Sequence, residues 1–128
     1  MRKTWVMMGA AGMLAAGFLV PAAAQGTGNA RGKLLFLRCA SCHAIAEGAS
    51  AKIGPNLHGV VGRRAGSLPG YSYSAAMKAQ NFVWDEAQLD RWLTRPTDVV
   101  PGTAMAFAGI ANPADRKAVI AYLENPSP

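Results

Sequence analysis

Cys39-Ala40-Ser41-Cys42-His43 constrains this chain more than any other stretch of its 128 residues. Its spacing is C-x-x-C-H, the pattern on which a c-type haem is covalently hung. On an α-helix, positions 39, 42 and 43 stand as i, i+3 and i+4 and share one face. Two thiols on that face can add to the vinyl groups of one porphyrin edge, and the adjacent imidazole can then reach the iron from the same side. A chain built this way needs little hydrophobic core of its own, because the prosthetic group can serve as one.

Two other chemistries use the same residue types. A redox-active C-x-x-C disulfide is one, but His43 follows at once, no βαβ pattern surrounds the motif, and a second candidate iron ligand lies downstream. A four-ligand zinc site is the other, and it would consume Cys39, Cys42, His43 and His58, with nothing in reserve.

Residues 1–24 read as a secretory signal. Arg2 and Lys3 precede an uncharged stretch from Trp5 to Val20, Pro21 breaks it, and Ala22-Ala23-Ala24 offers a cleavage site before Gln25. An uncleaved membrane anchor is the rival reading, because the uncharged stretch has about the length of a span. Cleavage leaves 25–128 as one small domain of 104 residues. Arg2 and Lys3 depart with the leader, so 11 basic residues face 7 acidic ones, a net charge of +4. The balance is mild and the charges are dispersed. No basic run with interleaved aromatics points to nucleic acid.

Arg31 to His43, with Leu34, Leu35, Phe36 and Leu37, predicts a helix with one buried face, after a flexible lead-in from Gln25 to Ala30. Glu47 to Gly70 is dense in glycine and proline and predicts a wrapping loop without strands. Such length is unusual in a compact domain unless a ligand organises it. Ser74 to Gln80 predicts two short helical turns. A clearer helix starts at Asp85, with Gln88 as capping-box partner, turns Leu89, Trp92 and Leu93 inward, and stops before Pro96. Val99 to Ala111 reads as loop. The last helix opens with Asn112 as N-cap and Pro113 in its first turn, and Ala118, Val119, Ala121 and Tyr122 form its apolar stripe. The plan is all-α.

An iron bound by His43 is open or closed on its other side, which separates chemistry on a substrate from plain electron transfer. Outside the leader the candidates are Met77, Met105 and His58. Met77 sits in an alanine-rich helix, where a methionine is ordinarily core filler. Met105 follows Pro101-Gly102-Thr103-Ala104, where a turn and small residues let backbone lie close to a flat ring. His58 beside Gly59 reads as a surface turn. The context favours Met105, with His58 and an open position as the alternatives.

With these residues in view, the chain resembles the class I cytochromes c over Gly32 to Leu123. The resemblance rests on Gly32 and Phe36 before Cys39-Ala40-Ser41-Cys42-His43, then Gly54-Pro55-Asn56-Leu57-His58-Gly59, Pro101-Gly102-Thr103-Ala104-Met105 and Ala121-Tyr122-Leu123, in that order. Pro69-Gly70-Tyr71-Ser72-Tyr73 adds to it. It implies the cytochrome c fold, with N- and C-terminal helices packed together and loops wrapping one haem c bound through Cys39 and Cys42. It also implies His43 and Met105 as axial ligands and a Pro55 carbonyl bonded to the Nδ1 side of His43. Tyr73 and Trp84 resemble propionate donors, with Arg63 balancing the charge, and Thr103 resembles a hydroxyl beside the haem. Trp92 stands where the mitochondrial members carry a tyrosine, so a hydroxyl that tunes the potential from the sulfur side is missing, and Ala104 stands where they carry a lysine, so the docking face is expected to be less basic.

The function implied is a single-electron carrier in a bacterial periplasm and not an enzyme. Its expected partners are redox protein donors and acceptors with acidic docking faces, the membrane being only where those partners reside. No nucleic acid and no small-molecule substrate is expected. The alternatives are a haem-bearing subunit of a periplasmic dehydrogenase or oxidase complex and, more distantly, a peroxidase-like enzyme with a labile sixth ligand.

Overall fold

Gly32 governs how the two ends of the chain meet. A Cβ there would lie 2.7 Å from Cβ of Tyr122 and closer still to the Ala118 carbonyl, so only glycine lets the first and last helices cross this tightly. The computed structural model describes residues 23–127, and nearly all of the leader assigned to 1–24 lies outside them. Its helices are α1 (Ala23–Ala40), α2 (Ala75–Lys78), α3 (Glu86–Thr94), α4 (Pro96–Val99) and α5 (Pro113–Glu124). Among the described residues there is no strand, only an isolated bridge between Arg64 and Val83.

At the crossing, Phe36 of α1 packs on Tyr122 of α5 with ring centroids 5.3 Å apart. Both rings are buried, and each contributes about 1.5–3 kcal/mol by leaving water. Asn29 Nδ2 donates to the Asn125 carbonyl at 3.3 Å, and Arg31 pairs with Asp115. These ties explain a departure from the sequence expectation. The segment Gln25–Ala30 is not a loose lead-in but the opening of α1. Once α5 holds the helix at Asn29 and Arg31, extending it backwards costs less than nucleating it did.

The face of α1 is narrower than its apolar content implies. Phe36 is buried, but Leu34 and Leu37 are 68% and 65% exposed. On α5, Ala118, Val119, Ile120, Tyr122 and Leu123 point inward, whereas Ala121, expected in the stripe, is exposed. Asn112 caps α5 as expected, its side chain accepting from the Ala114 N–H, with Pro113 following.

α3 begins where the sequence placed it, but only half of the capping box forms. The Asp85 side chain accepts from the Gln88 N–H at 2.7 Å. The Gln88 side chain instead bonds Arg91, and the Asp85 N–H goes to the Val83 carbonyl. α4 was not expected. Pro96 ends α3 because it has no N–H to donate, yet it suits the first turn of a new helix, and one short turn follows. Arg116 joins α5 to α3, with its Nε 2.7 Å from Asp90 Oδ1 and Nη1 donating to the carbonyls of Ile110 and Ala111.

The long segment between α1 and α2 is loop, as expected, and it is ordered by specific bonds. The Trp84 N–H donates to the Arg63 carbonyl, and the Gly62 and Ala65 N–H groups donate to Trp84 and Phe82. Asn56 is buried with its side chain fully used. Its Nδ2 donates to the carbonyls of Ala46 and Ala49, both at 2.8 Å, and its Oδ1 accepts from the His58 N–H at 2.8 Å.

Candidate functional site

α1 ends at Ala40, so the C-x-x-C-H run occupies its closing turn and not a continuous helix to His43. The expected geometry largely survives, because the His43 N–H still reaches the Cys39 carbonyl at 2.9 Å, as a helical i to i+4 bond would. Lys52 Nζ donates to the Ala40 carbonyl at 2.6 Å, a cation placed on the freed carbonyls of a helix end. No disulfide joins Cys39 to Cys42.

These residues form one wall of a cavity of about 410 Å³. Every site residue expected from sequence borders it: Cys39, Cys42, His43, Pro55, Arg63, Tyr73, Trp84, Thr103 and Met105. Much of the remaining lining is apolar, contributed by side chains such as Phe36, Leu57, Val60, Leu89, Trp92 and Leu93. Met77 also borders the cavity and is buried in the core cluster, consistent with its reading as filler. His58 does not. It is exposed and borders a separate cleft.

His43 is 9% exposed and held from three directions. Its Nδ1 lies 2.8 Å from the Pro55 carbonyl. A carbonyl can only accept, so Nδ1 carries the proton and Nε2 keeps its lone pair. The Gly54 N–H donates to the Cys42 carbonyl at 2.8 Å, fixing the Gly54-Pro55 strap beside the ring. A Cβ at Gly54 would sit 2.7 Å from Nδ1, so glycine is required by close approach and not by a turn. Burial lowers the His43 pKa, against the raising effect of the Pro55 bond, and the nearby Lys52 charge lowers it further. The ring is thus held neutral, the form a metal binds.

Burial raises the Cys39 pKa, opposed by the Arg38 charge, and Cys42 adds to the rise. Across the cavity, Arg63 donates to the Asn56 carbonyl at 3.1 Å, and burial lowers its pKa against the opposing influence of Tyr73. The Tyr73 hydroxyl accepts from the Leu68 N–H at 3.3 Å, leaving its own proton to give. Trp84 stacks edge-on with Trp92, centroids 5.2 Å apart, and its indole N–H has no acceptor among the described residues. Met105 sits beyond a Pro-Gly turn. Gly102 has φ +81°, and the Thr103 N–H closes the turn on the Val100 carbonyl at 3.0 Å.

This donor set fits a covalent haem. Two thiols and a neutral imidazole stand at one wall of an apolar slot, a thioether stands in another, and unspent donors line its polar corner. It does not fit a bare metal ion, since no group of three or more His, Cys, Asp or Glu is placed to hold one among the described residues. Gly54 and Asn56 are the site residues whose individual roles the sequence reading missed. A glycine before proline with no turn to make was the available signal.

Comparison with known proteins agrees. The cytochrome c family model matches residues 29–127, so the chain belongs to the cytochrome c family. It is 45% identical over 112 residues to cytochrome c2 of Rhodomicrobium vannielii, covering 87% of this chain and 90% of that one. It is 46% identical over 92 residues to cytochrome c of Sesamum indicum, covering 72% and 83%. Among solved structures, cytochrome cH from Methylobacterium extorquens superposes with a TM-score of 0.71 at 41% identity, over 75% of this chain and 96% of that one. The all-α arrangement is the cytochrome c fold. Membership makes this a monohaem electron-transfer protein and not an enzyme, with haem c held through Cys39 and Cys42 and redox proteins as partners.

Proposed function

We propose that the protein shuttles single electrons in a bacterial periplasm, with His43 and Met105 closing both faces of the iron. One observation carries this reading: the cavity that takes both thiols also takes the buried, singly protonated His43 ring and the Met105 side chain. Bound there, haem supplies a one-electron iron couple, and a neutral thioether ligand favours its reduced state.

The chain's own residues do the rest. Pro55 fixes the His43 tautomer and plane, as partners behind a metal-bound histidine do. Tyr73, Trp84 and Arg63 offer donors and a positive charge to propionates, and Thr103 holds the Met105 N–H at 3.2 Å. The apolar lining excludes water, which opposes the more highly charged oxidised state. The periplasmic location draws on the leader reading of 1–24 and on the bacterial cytochrome c2 relatives. Among the described residues no helix is long and apolar enough to cross a membrane.

The test is the visible spectrum of the oxidised protein beside Met105→Leu. A far-red sulfur-to-iron band in wild type that disappears in the variant is expected. Its absence from wild type, or its survival in Met105→Leu, overturns the ligand assignment. A second reading, a haem subunit bound permanently to a dehydrogenase or oxidase, draws on the exposed Leu34 and Leu37 of α1. Size exclusion of native extract separates the two, the shuttle eluting alone.

A further inference from the structure

The segment after the Pro101-Gly102 turn is lightly held. The Met105 N–H bonds Thr103 Oγ1 at 3.2 Å, and the Phe107 N–H bonds the Met105 carbonyl at 3.1 Å, both within the segment. Among the described residues, the bond to Thr103 is the one hydrogen bond or ion pair that leaves residues 104–109, and apolar packing of Met105 and Phe107 on the core does the remaining holding. The next outside anchor is the Ile110 N–H on the Leu93 carbonyl at 2.7 Å. Across the cavity edge stands Arg38, in the last turn of α1 and one residue before Cys39. Its guanidinium carbon lies 5.9 Å from the centroid of the Phe107 ring. Both residues border the cavity. Arg38 has no acidic partner among the described residues, and beside its influence on the adjacent Cys39 thiol its charge meets the Phe107 ring face.

We propose that Arg38 is a positioning residue for Met105, latching the Met105 segment to the cysteine end of α1 through the Phe107 ring. The proposal rests on Met105 as the iron ligand. Phe107 is two residues from Met105 and bonded back to it, so holding the ring limits how far the sulfur can swing from the cavity. The plane of the guanidinium suits an aromatic face. The attraction is electrostatic in origin and modest at an exposed edge. It therefore tunes how easily the sulfur is displaced and does not decide whether the chain folds.

The experiment is imidazole titration of the oxidised holoprotein, followed by loss of the far-red band. Arg38→Gln and Phe107→Leu should each tighten apparent imidazole binding by about two- to fivefold. The double variant should do no more than either single, because both remove one interaction. Arg38→Lys, which keeps the cation, should lie between wild type and Arg38→Gln, and the denaturant midpoint should stay at the wild-type value. Imidazole affinity in Arg38→Gln equal to wild type, or effects that simply add in the double variant, would overturn the latch while leaving Met105 as ligand. A wild type without the far-red band overturns both.

Discussion

Gly54 shows how much can depend on an absent atom. The ring of His43 lies where a side chain at 54 would be, so Gly54→Ala must displace either the imidazole or the strap carrying Pro55. Overpacking of this kind costs about 1–3 kcal/mol, and here the displaced group orients a ligand. The variant should melt lower than wild type and show a weakened far-red band, both readable from one thermal scan by visible absorption. Asn56 makes the complementary case. Asn56→Ala would strand the Ala49 carbonyl and the His58 N–H and leave the Ala46 carbonyl with only the Ala49 N–H, at a cost of about 1–3 kcal/mol. Denaturant unfolding should register it, while the far-red band persists below the transition because His43 keeps its own bond to Pro55. Both residues stood inside a stretch that resemblance had marked. Their separate tasks were hidden because close approach and long-range acceptors depend on where distant backbone arrives, which local pattern does not encode.

At the scale of elements, legibility followed the strength of local chemistry. The start of α3, the start of α5 and the two Pro-Gly turns were readable because caps and turns are set by a few adjacent residues. The length of α1, the inward set of α5 and the Gln88 side chain were not, since each is decided by a neighbour: α5, α1 and Arg91 in turn. Asp85→Ala should therefore destabilise the protein by about 1 kcal/mol through loss of the α3 cap, and Gln88→Ala should not reproduce that loss of capping. Comparing helix-end amide exchange in the two variants checks the distinction: only Asp85→Ala should speed exchange at the Gln88 N–H. Gly32→Val should be far more damaging than either, because α1 would have to leave α5. Loss of the cooperative transition at ordinary temperature is the expected outcome.

For the molecule as a whole, the cavity lies where a domain of this size would otherwise keep its centre. Buried residues from α1, α2, α3 and α5 and from the loops all border it: Phe36, Met77, Leu89, Trp92, Val119 and Leu123 among them. Protein carrying Cys39→Ser and Cys42→Ser, made without haem, should be largely unfolded, and a sharp thermal transition in that protein would refute the idea. The overall plan was legible because a prosthetic group fixed by five consecutive residues leaves few ways to wrap it. The charge near the cysteines was not, because Lys52 reaches the end of α1 only through its bond to the Ala40 carbonyl. With the uncharged Ala104 and the exposed Ile53 at the cavity rim, electron-transfer rates should depend weakly on ionic strength, and a steep dependence would argue for charge-led encounter.

The bond between Asn29 and Asn125 carries a practical corollary. Head and tail of the domain emerge side by side, and α1 then runs about 15 Å from Asn29 to Cys39. Any leash added at either terminus, whether a retained leader or an engineered fusion, would depart from the same corner. The cysteine end of α1 would stay clear of it.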